Sequence, residues 1–290
     1  VNQAVVQVML PGGLAFIMFS LGLSLVPHDF MRVFARPRAV LVGLFGQIMM
    51  VPAVAFVIAS QAGLSAELAL GLMILAVCPG GVSSGLVTHL ARGDTALSIT
   101  LTALSSVVAV VSVPLIVDFA LRYFTGAGIP VELPMGDLVR AVFLLTTVPV
   151  ALGMMVRHLY PAWVARVEPM AARVAVSLFV LIVIATFASQ RESLALNLAS
   201  IGPAAAVLNL SVMSAGYALA RLAGLARADC IAITTECGLQ NAALGIFIAA
   251  SVLQAPGMTI ASVSYALLMN LSAIALIFVM RRRVMAGAVS

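Results

Sequence analysis

The chain has no lysine, and only 9% of its 290 residues are charged. Soluble domains carry roughly 25% charged residues, so a solvated globular surface is excluded. Aromatic residues make up 6%, with a single tryptophan. The cysteines, Cys78, Cys230 and Cys237, have neither metal-ligand spacing nor an obvious partner; they are expected to be small core residues. What fills the chain instead is apolar: 63% hydrophobic residues and a mean hydropathy of +1.19.

A spanning helix needs about 20 mostly apolar residues. Nine runs meet that need, near 8–26, 39–60, 66–90, 95–121, 138–156, 172–188, 201–220, 228–252 and 258–280. The expected fold is therefore an all-α polytopic membrane protein of nine transmembrane helices. The first run is longer than a signal peptide's apolar stretch and lacks a basic leader, so it is read as a retained helix. All 15 basic residues are arginine. Most fall in alternate loops: Arg32, Arg36 and Arg38; Arg92; Arg157 and Arg166; Arg221 and Arg227; then Arg281, Arg282 and Arg283. The positive-inside rule makes that side cytoplasmic, with the N-terminus outside and the C-terminus inside. Richness in alanine and arginine points to a bacterial inner membrane. A pI near 9.7 does not indicate nucleic acid, because the arginines are spread over loop ends, where they meet anionic lipid head groups.

Weak internal symmetry is common in transporters. "GLSAELALGLMILAVCPGGVSSGL" (Gly63 to Leu86) and "GLARADCIAITTECGLQNAAL" (Gly224 to Leu244) share a plan. Each has a Gly-Leu turn, an acidic residue near the helix start, a stretch of apolar positions, then a polar, Gly-bearing interruption. Each is the third run of a four-run unit, runs one to four and runs six to nine. Five crossings precede the second unit, so parity makes the repeat inverted. Pro79, Gly80, Gly81 and Gly85 in one run, and Gly238 with its polar neighbours in the other, are poor helix formers. Broken helices survive in hydrocarbon only where protein, ions or water satisfy the freed backbone, and a matched pair points to a midplane binding site. The plain alternative, close packing on small residues, accounts for Gly80 and Gly81 but not for the polar residues beside them.

Of the ten acidic residues, Glu236 alone lies near the centre of an expected span; Asp118 is its closest rival. An ionised side chain there costs at least ~2.5 to 3.5 kcal/mol, which makes it a functional-site candidate. It needs a cation or a proton, or else a buried partner that merely holds two helices. Gln240 lies one turn on and shares its face, as Ser98 and Thr102 share one. Hydroxyl, amide, carboxylate and carbonyl oxygens together suit a small hard cation, although Ser98 and Thr102 could equally bond back to their own helix. Gln47 is mid-span in the second run, where an amide is rare in lipid.

These residues resemble the bile acid:sodium symporters and their bacterial homologues. The resemblance spans nearly the whole chain and is carried by "CPGGVSSGLVTHLARGDTALSITLTALSS" (Cys78 to Ser106) and "TECGLQNAAL" (Thr235 to Leu244). It implies two crossing discontinuous helices in a core domain, a separate panel domain, and sodium as the coupling ion. Residues 1–60 would then hold a panel helix and the first core helix, 61–125 the core with broken helix 66–90, 126–160 a connecting panel helix, 161–190 the second repeat's panel helix, and 191–290 the core with broken helix 228–252. One sodium site would use Ser84, Ser98, Thr102 and Glu236. The other would use Gln47, Glu236, Gln240 and the carbonyls of Cys237 and Leu239. The family's usual Ser-Asn is here Ser84-Gly85, which removes one side-chain oxygen, so one or two ions are expected.

The resemblance also places Asn241 and Asn270 in a substrate cavity, beside Gly81 and Val82. Val82 stands where the family often has a hydroxyl, which hints at a different ligand head. Half-helix N-termini after each interruption would face an anion, so the expected cargo is an amphipathic or small organic anion, bile-acid-like or a metabolic carboxylate, imported by alternating access. Proton coupling through Glu236 and export by the same architecture are rival readings. A third, an intramembrane serine protease, rests on "GVSSG" (Gly81 to Gly85). It would need a histidine base at matching depth, and His28, His89 and His158 fall in or beside loops.

Overall fold

A computed structural model describes residues 9–26, 35–81, 83–126 and 135–287, the last six without side chains. The expectations on His28, Arg32 and Val82 lie outside the described residues. Every regular element among them is helical: α1 Leu10–Ser24, α2 Pro37–Gln61, α3 Ala66–Val77, α4 Ser84–Leu90, α5 Thr95–Thr125, α6 Met135–Leu159, α7 Pro161–Ser189, α8 Arg191–Leu222, α9 Arg227–Gly238, α10 Ala242–Val252 and α11 Thr259–Gly287. Six of these are long and apolar enough to cross a membrane, and α1, α3 and α10 are shorter apolar helices. Large apolar side chains such as Leu41, Phe45, Phe119, Ile184 and Leu271 are exposed along the helices, a surface suited to lipid and not to water. The protein is a polytopic membrane protein.

Two helices run further than the sequence suggests. α7 begins at Pro161 and α8 at Arg191, whereas the apolar runs there open near 172 and 201. Pro169 and Pro203 lie inside these helices, and a membrane helix tolerates an internal proline where neighbours satisfy the freed carbonyl. In α2 and α6 a Val-Pro pair has another effect. The N–H of Val51 bonds Gly46 O and that of Val148 bonds Phe143 O, five residues back, making a wide turn before Pro52 and before Pro149. Proline cannot supply the usual donor to the carbonyl one turn earlier, and widening the turn reassigns the bonds. Such widened turns gather at functional sites, and this one carries Gln47.

α1 packs along α6 and α7, while α2, α3, α5, α8, α9, α10 and α11 pack on one another. At one end of the molecule the arginines tie helix ends together. Arg36 bonds Asp94 and Asp229, each at 3.2 Å, joining the starts of α2, α5 and α9. Arg227 donates to Met280 O at 3.0 Å, Arg281 to Leu90 O at 3.0 Å and Arg157 to Leu23 O at 3.2 Å. Asp118 sits toward the far end of α5 and pairs with Arg122 at 2.9 Å, so this rival to Glu236 is a helix-end ion pair.

Candidate functional site

Pro79 dictates where α3 stops, because the residue before a proline is driven out of the helical region. Cys78 is accordingly extended, at φ −65° and ψ 148°. The second interruption follows Gly238, where Leu239 is extended at φ −106° and ψ 94°, and the Asn241 side chain restarts the helix by accepting the Leu244 N–H at 3.0 Å. The two short extended stretches lie antiparallel, Gly80 opposite Gln240. Gly81 N–H donates to Leu239 O at 2.6 Å and Asn241 N–H to Pro79 O at 2.9 Å. Each interruption thus satisfies backbone groups of the other, as an apolar surround requires.

Glu236 lies at this crossing with 0% exposure. A Cβ placed on Gly80 would fall on its carboxylate, so only glycine lets the group come so near the first interruption. Thr102 Oγ1 donates to Oε1 at 2.7 Å and Ser98 Oγ to Oε2 at 3.3 Å. Ser84 Oγ stands 3.3 Å from both hydroxyls. All three hydroxyl residues are buried, so the first expected set, Ser84, Ser98, Thr102 and Glu236, forms one cluster. Thr102 Oγ1 also lies 3.1 Å from Ser98 O, so its one proton has the helix carbonyl as a second acceptor beside the nearer carboxylate. Thr88 and Thr235 bond each other further along α4 and α9.

The second expected set divides. Gln47 Nε2 donates to Gln240 Oε1 at 2.8 Å and to Cys78 O at 2.9 Å, and Gln240 Nε2 donates to Cys237 O at 2.8 Å. The two amides thus bond each other and flanking carbonyls, while the carboxylate faces the hydroxyls. Leu239 O accepts the Gly81 N–H. Three partners carry no local sequence signal: the Cys78 carbonyl, and Asn209 and Tyr265, both of which donate to Gly238 O at 2.9 Å. The three cysteines are free and buried.

A cavity of about 120 Å³ adjoins the crossing, lined by Gly81, Gln240, Asn241 and Asn270 with Ile17 and Phe179 among its apolar walls. Three residues placed there by resemblance are therefore brought together. Asn270 donates to Ala266 O at 2.6 Å on its own helix. A larger cavity of about 680 Å³ shares Ser83 and Val176 with the first and reaches Ser84, Gly85 and Thr102. It passes Ser24, His89, Glu168 and Arg173, which belong to the arginine-tied end. Among the described residues the side-chain partners of Ser84 are Thr102, Ser98 and the Glu236 carboxylate.

The family model described as the Sodium Bile acid symporter family matches residues 11–197. A probable sodium/metabolite cotransporter of rice (Oryza sativa subsp. japonica), named as chloroplastic, is 30% identical over 237 residues, which is 82% of this chain and 55% of the rice protein. An uncharacterized sodium-dependent transporter of Bacillus subtilis is 32% identical over 236 residues, 81% of this chain and 72% of that protein. The ileal sodium/bile acid cotransporter of Mus musculus is 28% identical over 233 residues, 80% of this chain and 66% of the mouse protein. The chain thus spans little more than half the length of the rice relative, and these relatives are named as transporters. With the family model matched over more than half of its length, the chain belongs to the sodium/bile acid symporter family.

Proposed function

We propose that this protein is a sodium-coupled symporter that imports an organic anion by alternating access. The observation that carries the reading is the crossing itself, where Glu236, 0% exposed, meets the hydroxyls of Ser84, Ser98 and Thr102 against Gly80. An ionised carboxylate in that place requires a counter-charge, and the surrounding donors are hard oxygens of the kind that replace a small cation's hydration shell. Sodium is cargo here: one ion at Ser84, Ser98, Thr102 and Glu236, and a second at Gln47, Gln240, Glu236 and the carbonyls of Cys237 and Leu239. For the second ion to bind, the Gln47–Gln240 bond opens and both amides turn their oxygens inward.

In this reading the chain crosses a bacterial inner membrane nine times in two inverted four-helix units. α1, α6 and α7 form the panel and the remaining helices the core. The arginine-tied end is cytoplasmic, so the larger cavity is the inner vestibule through which ion and anion leave. Asn241, Asn270 and Gly81 hold the anion's polar head, assisted by the positive end of α10, and Ile17, Val176 and Phe179 of the panel side meet its carbon skeleton. Sodium neutralises Glu236 and fixes the crossing, and the membrane potential adds ~2.3 kcal/mol per charge per 100 mV. Both effects favour uptake.

Thermal stabilisation of the purified protein by sodium, compared with choline at fixed pH, tests this reading without knowledge of the cargo. The wild type is expected to respond and Glu236→Ala to lose the response while still inserting in the membrane. A full response in that variant, or equal responses to sodium and choline, would refute it.

A further inference from the structure

Gly238 O is the carbonyl left without a helix partner where α9 stops, and it is buried. Two side chains take it. Asn209 Nδ2 of α8 and Tyr265 Oη of α11 each donate to it at 2.9 Å, and Asn209 also donates to Tyr265 Oη at 3.1 Å. Asn209 is 2% exposed and Tyr265 1%. A carbonyl oxygen has two lone pairs, so Gly238 O has no capacity left for an ion.

The arrangement mirrors one at the other interruption. There Gln47 of α2 donates to Cys78 O at 2.9 Å, 31 residues on; here Asn209 of α8 donates to Gly238 O at 2.9 Å, 29 residues on. α2 and α8 are the second members of the two expected units, and α5 and α11 the fourth. The matching places are used differently. In the first unit α5 turns Ser98 and Thr102 toward Glu236, and Gln47 bonds another side-chain amide, Gln240. In the second unit α11 supplies Tyr265, and the triad closes on itself. The carbonyl at the first break shares its donor with Gln240, whereas the carbonyl at the second is held by two donors that also bond each other.

We propose that Asn209 and Tyr265 are positioning residues for the cation site. By saturating Gly238 O they fix the last peptide of α9, and so set the direction of the neighbouring Cys237 and Leu239 carbonyls and of Glu236 two residues earlier. They do not touch the ion. The inference rests on the sodium-symport reading above.

The test is the sodium concentration at half-maximal thermal stabilisation of the purified full chain, with sodium chloride as the only ligand. Tyr265→Phe keeps the ring and removes the hydroxyl; Asn209→Ala removes the amide. Each is expected to raise the midpoint about threefold to tenfold, the range for one buried hydrogen bond, while the stabilisation reached at saturating sodium is retained. The double variant is expected to be no worse than about the larger single change, because the two side chains act as one unit. Variants that melt earlier by the same amount at every sodium concentration, with an unchanged midpoint, assign the triad to stability alone and overturn the proposal. If Asn209→Ala does not fold, Tyr265→Phe decides the matter, since its shape is unaltered. A wild type indifferent to sodium, or a Glu236→Gln variant that keeps the response, overturns the symport reading and the clamp with it. A Glu236-dependent response with the wild-type midpoint in Tyr265→Phe overturns the clamp alone.

Discussion

The first interruption, between Val77 and Ser84, is written in backbone chemistry: Pro79, Gly80 and Gly81 follow Cys78. The second, between Gly238 and Ala242, has no proline; side chains from other helices, Asn209 and Tyr265, hold Gly238 O, and its own Gln240 holds Cys237 O. A proline disfavours the helical region for the residue before it, and the glycines that follow Pro79 do nothing to restore the helix, so the first break has a local cause. The second is tertiary and lasts only while its neighbours stay in place. The division assigns different work to the two. The rigid break supplies room, because Gly80 lets a carboxylate lie against it. The supported break supplies the charge and the amides, Glu236, Gln240 and Asn241. Changes in the first half should therefore act by shape, and changes around the second by lost hydrogen bonds.

Gly80→Ala should give the largest effect of shape. The new Cβ would occupy the place of the Glu236 carboxylate, which is the far end of a flexible side chain and can swing aside. Melting temperature without sodium should fall, because the displaced carboxylate loses its hydroxyl partners. The carboxylate would leave both Thr102 and Ser98, two bonds to a charged group at ~1.5 kcal/mol each, so the sodium midpoint should rise on the order of a hundredfold. Retention of the wild-type midpoint would show that Gly80 provides flexibility and not space. Thr102→Val comes next. It keeps the shape and removes the 2.7 Å bond, for about a tenfold rise, with Ser98→Ala smaller because its bond is 3.3 Å long. The reverse order in a sodium titration would place the ion on the Ser98 side of the carboxylate.

Hydropathy exposed the helices, and Pro79 with its glycines exposed the first break, because both signals are local. Glu236 stood out as a charge deep in oil; Ser98 and Thr102 were placed beside it by the family resemblance, and helical spacing showed only that they share a face. The helix bounds failed at the starts of α7 and α8, which open at Pro161 and Arg191, because the apolar signal begins only near 172 and 201. Asn209 and Tyr265 gave no warning. Each is one of several polar residues in its helix, and only the fold brings them to one carbonyl 29 and 27 residues away. The widened turn at Gln47 coincides with a Val-Pro pair, as does the one before Pro149, but the Val113-Pro114 pair in α5 makes none, so the pair alone does not announce it. Its meaning depends on which side chain it turns inward, and that is a property of packing.

Gly85 offers the mildest change, and the one that best separates room from charge. It neighbours Ser84 of the hydroxyl cluster, lines the larger cavity, and stands where the family usually has an asparagine. A Cβ there would sit 3.2 Å from Ile99 Cγ1, a side-chain atom that a small adjustment moves, and the cavity beyond has space for an amide. Gly85→Asn therefore adds an oxygen donor to the first half without disturbing the break. One added donor of ordinary strength corresponds to about 0.5–1 kcal/mol, so the sodium midpoint should fall roughly threefold while the melting temperature without sodium stays within a few degrees. A lower midpoint means that the glycine holds the first site below the affinity its frame allows. An unchanged or higher one means that the hydroxyls and Glu236 already complete the shell, and that the first break contributes nothing beyond its shape.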